Sequence, residues 1–418
     1  MVSHPVNSIP LVSSQPAHRH IMVVHNYYPI GEPRVQRQVE ALVNAGARVE
    51  VVCLRDQDDP PRETWGSVTI HRLPVRRDKK RGPVAQLGEY LAFLFLAFWQ
   101  VTRLYFQMRP QVVQVHNLPD FLVFCALVPR LAGVPVILDL HDLMPEFYIS
   151  RFGGNEENWA VRLVKLQERV SCWFASHVIT VTHPWRQALI QRGMPAEKCS
   201  VVMNLADDRI FYPRPSATAR ETAGLHLIYH GTLTYRYGID LALRAVAQAR
   251  AAVPGLKLLV HGRGEYLAEL EKLAAELNLH DIVTFSTRLL PMEELPKLIA
   301  AADVGLVPYR RDPFTDGILP TKLMEYAAME LPAIAVRTPV IDAYFTPEML
   351  EVFEANDVAA LSAAIIRLGQ EGGRRAELKR QIQKFNERYN WKKQRAEYLT
   401  LIGRLAGRVA LQTSSFSS

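Results

Sequence analysis

LHLIYHGTLTYRYGIDLALRAVAQARAA, residues 225–252, decides the fold. The short apolar run LHLIYHG at 225–231 reads as a strand, a glycine-bearing turn follows, and a helix of about 238–252 carries the chain away. Strand, turn and amphipathic helix in that order form the repeating unit of a parallel sheet covered by helices. The unit recurs downstream, with strands at 256–262, 282–287, 304–309 and 332–336 and helices at about 265–278, 292–302 and 321–330.

Working back toward the N-terminus, the same alternation is present from His20. Strands are expected at 20–25, 48–54, 67–73, 111–116, 135–141 and 177–182, with helices at about 33–44, 84–108, 118–131, 156–175 and 184–191. After VVMN at 201–204 neither period survives a polar stretch holding Pro213 and Pro215, which marks a linker. The chain therefore divides into a disordered lead-in (1–18), a first Rossmann-like domain (19–204), a linker (205–222), a second Rossmann-like domain (223–370), C-terminal helices packing back on the first domain (371–410) and a disordered tail (411–418). A length of 418 residues suits two domains, and no repeat of solenoid period is present.

Composition narrows the function classes. Apolar residues at 49% and charged residues at 22% describe a globular chain rather than a polytopic membrane protein. The net charge of +7 favours anionic partners. The main basic cluster, Arg76, Arg77, Lys79, Lys80 and Arg81, has no interleaved aromatics, so nucleic acid is not expected as a partner. Cys53, Cys125, Cys172 and Cys199 are too scattered for a zinc site or a disulfide framework and fit a reducing cytosol. The first 18 residues lack the pattern of a signal peptide.

The apolar run Tyr90–Trp99 is ten residues long, while a bilayer span needs about 20. Two readings of it are open. One is an amphipathic helix in the headgroup region beside the basic cluster, so that 76–106 makes a peripheral contact with an anionic membrane. The other is a buried crossover helix.

Chemistry is expected where strands end. HNLPDF (116–121) and DLHDLMPEF (139–147) place His116, Asn117, Asp139, His141, Asp142 and Glu146 at the carboxyl ends of two neighbouring strands, where open α/β sheets bind ligands. HGTLTYRYG (230–238) runs from a strand through a glycine turn into a helix, which suits phosphate, and Arg236 adds charge. HGRGE (261–265) repeats the layout. In DGILPTKLMEYAAMELP (316–332), Lys322 and Glu325 share one face of a helix start. Lys322 can compensate a diphosphate and Glu325 can accept from a ribose diol. The alternative is a solvated ion pair.

This ordered set of motifs, together with AADVGLVPY (301–309), resembles the retaining glycosyltransferases of family 4. The resemblance runs from about His20 to Arg404 and implies the GT-B fold, two facing Rossmann-like parallel-sheet domains with a C-terminal helix crossing back. It implies a nucleotide diphosphate sugar donor on the second domain, an acceptor on the first, and no cofactor. Arg236 and Lys322 would hold the diphosphate, Glu325 the ribose, and His141 would sit near the reacting sugar; His141, Arg236 and Lys322 are the expected catalytic residues. Gly231 and Gly262 would admit close backbone approach, and Arg288 joins the donor group. His116, Asn117, Asp142 and Glu146 fall on the acceptor side.

Two departures stand out. The family often carries a glutamate eight positions before Glu325, and here that position is Gly317; Asp316, or the backbone N–H groups of Gly317, Ile318 and Leu319, would replace it. The basic residue usual before the glycine of the turn is Tyr237. The expected reaction keeps the anomeric configuration, needs no metal and favours a UDP sugar. The expected acceptor is a lipid-linked or surface glycan in polysaccharide biosynthesis at the inner face of the plasma membrane. A non-catalytic nucleotide- or lipid-binding subunit of the same shape is the rival, and Gly317 is its best argument.

Overall fold

The computed structural model describes residues 18–29, 32–77, 82–153, 157–214 and 224–407. Two compact units divide the chain: one runs to Met203 and resumes at Gln394, and the other spans Asn204–Lys393.

The first unit is built on strands β1 (His18–Tyr27), β2 (Ala47–Leu54), β3 (Arg62–Trp65), β4 (Val68–Leu73), β5 (Val112–His116), β6 (Val136–Leu140), β7 (His177–Thr180) and β8 (Cys199–Val201). They form one sheet in the order β3-β4-β2-β1-β5-β6-β7-β8. Every pairing is parallel except that of the edge strand β3 with β4. Ile21, Met22, Val23, Val51, Val52, Val113, Val115 and Leu138 are wholly buried, as expected of central strands covered on both faces.

The second unit holds β9 (His226–His230), β10 (Lys257–His261), β11 (Val283–Ser286), β12 (Val304–Val307), β13 (Ala333–Val336) and β14 (Glu351–Phe353), in the order β11-β10-β9-β12-β13-β14, all parallel. Both units are thus Rossmann-like. In each sheet the strand order reverses beside its first strand, β1 or β9, and the crevice outside the carboxyl ends at such a switch point is where open α/β sheets place ligands.

Several local expectations change. His18, placed in the lead-in, opens β1; residues 1–17, 215–223 and 408–418 lie outside the described residues, as do Lys79, Lys80 and Arg81. Residues 205–214, expected in the linker, and Asn204, expected to end the first domain, belong to the second unit, where Leu205 and Phe211 are buried. The helix expected at 118–131 is a 3-10 segment, Asp120–Ala126, followed by one short turn, Leu127–Leu131. A helix not foreseen, Met144–Phe152, begins with Pro145 in its first turn. The returning segment 371–410 splits. Helix Gly372–Arg388 stays with the second unit, where Phe385 stacks on Phe345 at 4.4 Å. Helix Trp391–Leu405 belongs mostly to the first, where the Tyr398 hydroxyl donates to Gln114 Oε1 at 2.8 Å.

The apolar run is part of a 26-residue helix, Pro83–Met108, of which Ala85–Met108 is long and apolar enough to cross a membrane by length and composition. The expectation that the segment is too short counted only its uninterrupted run. Nor is it a buried crossover helix. Phe93, Ala97, Val101 and Leu104 pack inward, and Gln100 reaches His71 at 3.0 Å, while Phe95 and Trp99 remain 62% and 57% exposed.

Candidate active site

In the second unit Gly231, Lys322 and Glu325 of the expected donor residues meet at the ends of β9 and β12. Helix Thr321–Ala328 starts behind Pro320 and carries Lys322 inward, so that its side chain is only 4% exposed. The Lys322 amine donates to the Tyr309 hydroxyl at 2.6 Å and lies 4.6, 4.9 and 4.6 Å from the ring centres of Tyr229, Tyr237 and Tyr309. Such faces attract a cation. Burial pushes the amine down to about 7, with Glu325 pulling the other way.

Gly231 sits directly over this amine. A Cβ added there would come within 3.4 Å of Lys322 Cε and 3.5 Å of Nζ, so the missing side chain leaves the approach to the amine open. Gly231 has φ +118°. Gly262 serves the turn itself, since a Cβ there would fall 1.8 Å from the Gly231 carbonyl oxygen. Three residues beyond Lys322, Glu325 lies 3.2 Å from His230 Nε2, with its side chain 18% exposed. His230 is held well below the usual imidazole range, first by burial and then by Lys322. The ledge therefore presents a buried amine, a carboxylate and a neutral imidazole side by side.

The surface ion-pair reading fails here because Lys322 is buried. Arg236 is half-buried in the turn, its Nε 3.5 Å from Asp312 and its guanidinium 5.1 Å over Phe314. Asp316, offered as a replacement carboxylate, is held by Arg311 through two bonds of 2.7 Å. The N–H groups of Gly317 and Ile318 both donate to the Phe314 carbonyl, at 3.1 and 3.2 Å, so they are already spent. Among the three, Leu319 alone has no such bond among the described residues. Arg288 lies exposed just beyond β11.

In the first unit the polar strand ends form one network. Asp139, fully buried, accepts from Arg34 at 2.8 Å, Gln38 at 2.9 Å and Gln114 at 3.0 Å. Burial raises its carboxyl, but Arg34, His116 and His141 outweigh that and hold it well below the carboxylate range. His116 Nδ1 is 3.5 Å from Asp139 and 2.9 Å from His141 Nε2. Because Asp139 is ionised, a proton on His116 Nδ1 is favoured, which leaves His141 to accept at Nε2 and to carry its own proton on Nδ1. That atom faces Glu32 at 3.9 Å. Burial lowers His116 to about 4 and His141 well below its usual range, so both are neutral near pH 7.

Asn117 fixes the loop, accepting from the His141 N–H at 2.8 Å and donating to Asp120 at 2.8 Å and to the Asp142 carbonyl at 2.5 Å. His116 is fully buried and Asn117 nearly so, and both hydrogen-bond to His141, whose side chain is 19% exposed. Glu146 is paired with Arg192, which also donates to Glu168 at 3.0 Å. His116, Asp139 and His141 bring ligand atoms within 4.8 Å of one another, a spacing a metal could use. Asp139 already has three donors, and a guanidinium at 2.8 Å opposes a cation, so these groups fit a proton network better.

Arg34, Gln38, Gln114, Tyr229, Tyr309 and His230 escaped sequence reasoning. Two signals were available: His230 directly precedes the glycine of the turn, and Tyr309 ends the strand run VGLVPY.

Comparison with known proteins agrees with the fold. Residues 31–204 match the family described as glycosyl transferase 4-like domain, and residues 217–385 match glycosyl transferases group 1. The chain belongs to the glycosyl transferases group 1 family, and its two Rossmann-like units are those of the GT-B fold. Among curated relatives, it is 22% identical over 68% of its length to chitobiosyldiphosphodolichol beta-mannosyltransferase of Debaryomyces hansenii, covering 65% of that protein. It is 30% identical over 62% of its length to D-inositol 3-phosphate glycosyltransferase of Acidothermus cellulolyticus, covering 59% of it. The chain thus spans less than two thirds of these relatives. Among solved structures, sucrose-phosphate synthase from Thermosynechococcus elongatus superposes with a TM-score of 0.74 at 20% identity, over 93% of this chain and 99% of that one. Anabaena HepE in complex with UDP-glucose superposes with a TM-score of 0.67 at 16% identity, over 92% and 99%.

Proposed function

We propose that this glycosyltransferase takes a hexose or related sugar from a UDP sugar and passes it, with retention and without a metal, to a lipid-linked or surface glycan at the inner face of the plasma membrane. The observation that carries the reading is the buried Lys322 amine beneath Gly231, three residues from Glu325. A buried amine with one neutral partner is a strong site for an anion that reaches it. The diphosphate would lie on Lys322, the N-terminus of helix Thr321–Ala328 and Arg236, which stabilise the charge that develops as the glycosidic bond breaks. Glu325 would accept from the ribose hydroxyls and His141, neutral, would serve the sugar. These fixed positive groups supply what a metal would otherwise supply, which supports a metal-free reaction.

UDP as the nucleotide is supported by the UDP-glucose complex named for a relative of the same fold. A lipid-linked acceptor is supported by the dolichol-linked substrate in a relative's name and by the exposed apolar face of helix Pro83–Met108 beside Arg76 and Arg77. Product analysis by nuclear magnetic resonance, with EDTA present, tests the stereochemistry and the metal together. Retained configuration at undiminished rate is expected; an inverted product, or activity abolished by EDTA, contradicts the proposal. Phe95→Gln with Trp99→Gln should release the protein from anionic vesicles while leaving its circular dichroism unchanged.

A further inference from the structure

Helix Trp159–Phe174 is folded the wrong way round for a soluble surface. It buries Glu168, Ser171 and Cys172 together with Val161, and it exposes Trp159, Leu163, Leu166, Val170 and Trp173. These five recur at helical spacing on one side and are 42–76% exposed. The first and last are tryptophans fourteen residues apart, about 21 Å along the axis. The buried carboxylate is not stray, because Arg192 bridges Glu168 and Glu146.

We propose that this stripe is a docking surface for an anionic lipid bilayer, lying in the headgroup region with its axis in the membrane plane. Charge decides the partner. Arg162 and Arg169 are exposed beside the stripe and Lys165 is half-exposed, while the only exposed acid on this stretch among the described residues is Glu157. Cations that rim an apolar helix face add lipid attraction to apolar burial, and tryptophan favours the interface. A second copy of the chain would instead bring the three cations of each copy together, which opposes pairing.

Continuity with helix Pro83–Met108 adds support. The connections β4 to β5, β5 to β6 and β6 to β7 all advance in the same direction across the sheet, so right-handed crossovers place their helices on one face. Both long helices pack on the 3-10 segment Asp120–Ala126 between them, and Leu127 and Leu131 are exposed just beyond it. The surface is therefore a plate of two helices. This deepens the membrane contact proposed above, which rests on Pro83–Met108 alone.

The test is co-sedimentation of the full chain with vesicles of phosphatidylcholine, pure or mixed with phosphatidylglycerol. Trp159→Gln, Leu163→Gln and Trp173→Gln combined should weaken binding to the anionic vesicles by at least about tenfold, since each residue buries substantial apolar surface on docking. Circular dichroism and donor hydrolysis should not change, because these side chains are exposed. Arg162→Gln with Arg169→Gln should remove the preference for the anionic vesicles. Undiminished binding of the triple variant overturns the proposal. If Phe95→Gln with Trp99→Gln weakens binding in that case, the single-helix contact survives and only the plate falls; if neither set matters, both fall. A triple variant that converts a dimer to a monomer in analytical ultracentrifugation, with vesicle binding intact, assigns the stripe to a second copy and also overturns it.

Discussion

Lys322→Met keeps the length of the side chain and takes away its charge, which changes the proton balance of nucleotide binding. In the free protein burial, opposed by Glu325, brings the amine from its ordinary 10.5 to about 7. At pH 8 about nine amines in ten are then neutral. A diphosphate laid against the amine favours the charged form and restores an alkaline pKa. UDP binding should therefore take up about 0.9 proton at pH 8. The terminal phosphate of UDP, ionising near 6, is already dianionic at pH 8. Stability has a matching sign. The native state holds fewer protons than the unfolded chain between about 7 and 10.5, so this group's contribution rises with pH across that window. Below it, burying the ammonium costs about 5 kcal/mol. The methionine variant escapes that cost but orphans the Tyr309 hydroxyl, worth about 1–3 kcal/mol. Free Lys322→Met should therefore melt no lower than the parent, and UDP should bind it at least about tenfold more weakly without proton uptake. Titration calorimetry in two buffers of different ionisation enthalpy reads the proton number. No uptake by the parent at pH 8, or equal uptake by Lys322→Met, refutes the reasoning.

Three further outcomes are expected. Asp139→Asn leaves the Arg34 guanidinium buried beside a neutral amide and should cost about 3–5 kcal/mol in urea unfolding. In the parent protein the same carboxylate should contribute stability above the ordinary carboxylate range and lose it as pH falls toward its depressed native value; an unchanged urea midpoint in the variant would contradict both. His141→Asn should lower turnover by roughly a hundredfold with little effect on UDP affinity, and equal loss of both would move His141 out of the sugar site. Glu325→Gln should weaken UDP binding by about tenfold in a thermal-shift titration while the unliganded melting temperature holds; unaltered affinity removes the ribose contact.

Sequence pattern reached most of the fold because the central strands, such as β1, β2 and β6, are apolar runs buried on both faces. β3 and β14 were illegible. The first is a four-residue edge with polar residues, and the second has three residues and no room for a period. At the site, motifs singled out Lys322, Glu325 and His141, yet spacing alone left a solvated ion pair open for Lys322. Its burial comes from Tyr229 and Tyr237, on and just after β9, and from Tyr309, which is distant in the chain and joins them because β9 and β12 are neighbours. The network around His116 was hidden in the same way, since Arg34 and Gln38 reach Asp139 from a helix 105 and 101 residues earlier in the chain. Helix Trp159–Phe174 was foreseen as an element, but a 3.6-residue period does not say which face turns inward.

A crystal structure of the full chain with UDP tests the central claim most directly. A phosphate oxygen should lie within about 3 Å of Lys322 Nζ, with ribose hydroxyls on the Glu325 carboxylate. A diphosphate bound elsewhere, with Lys322 still donating only to Tyr309, contradicts it.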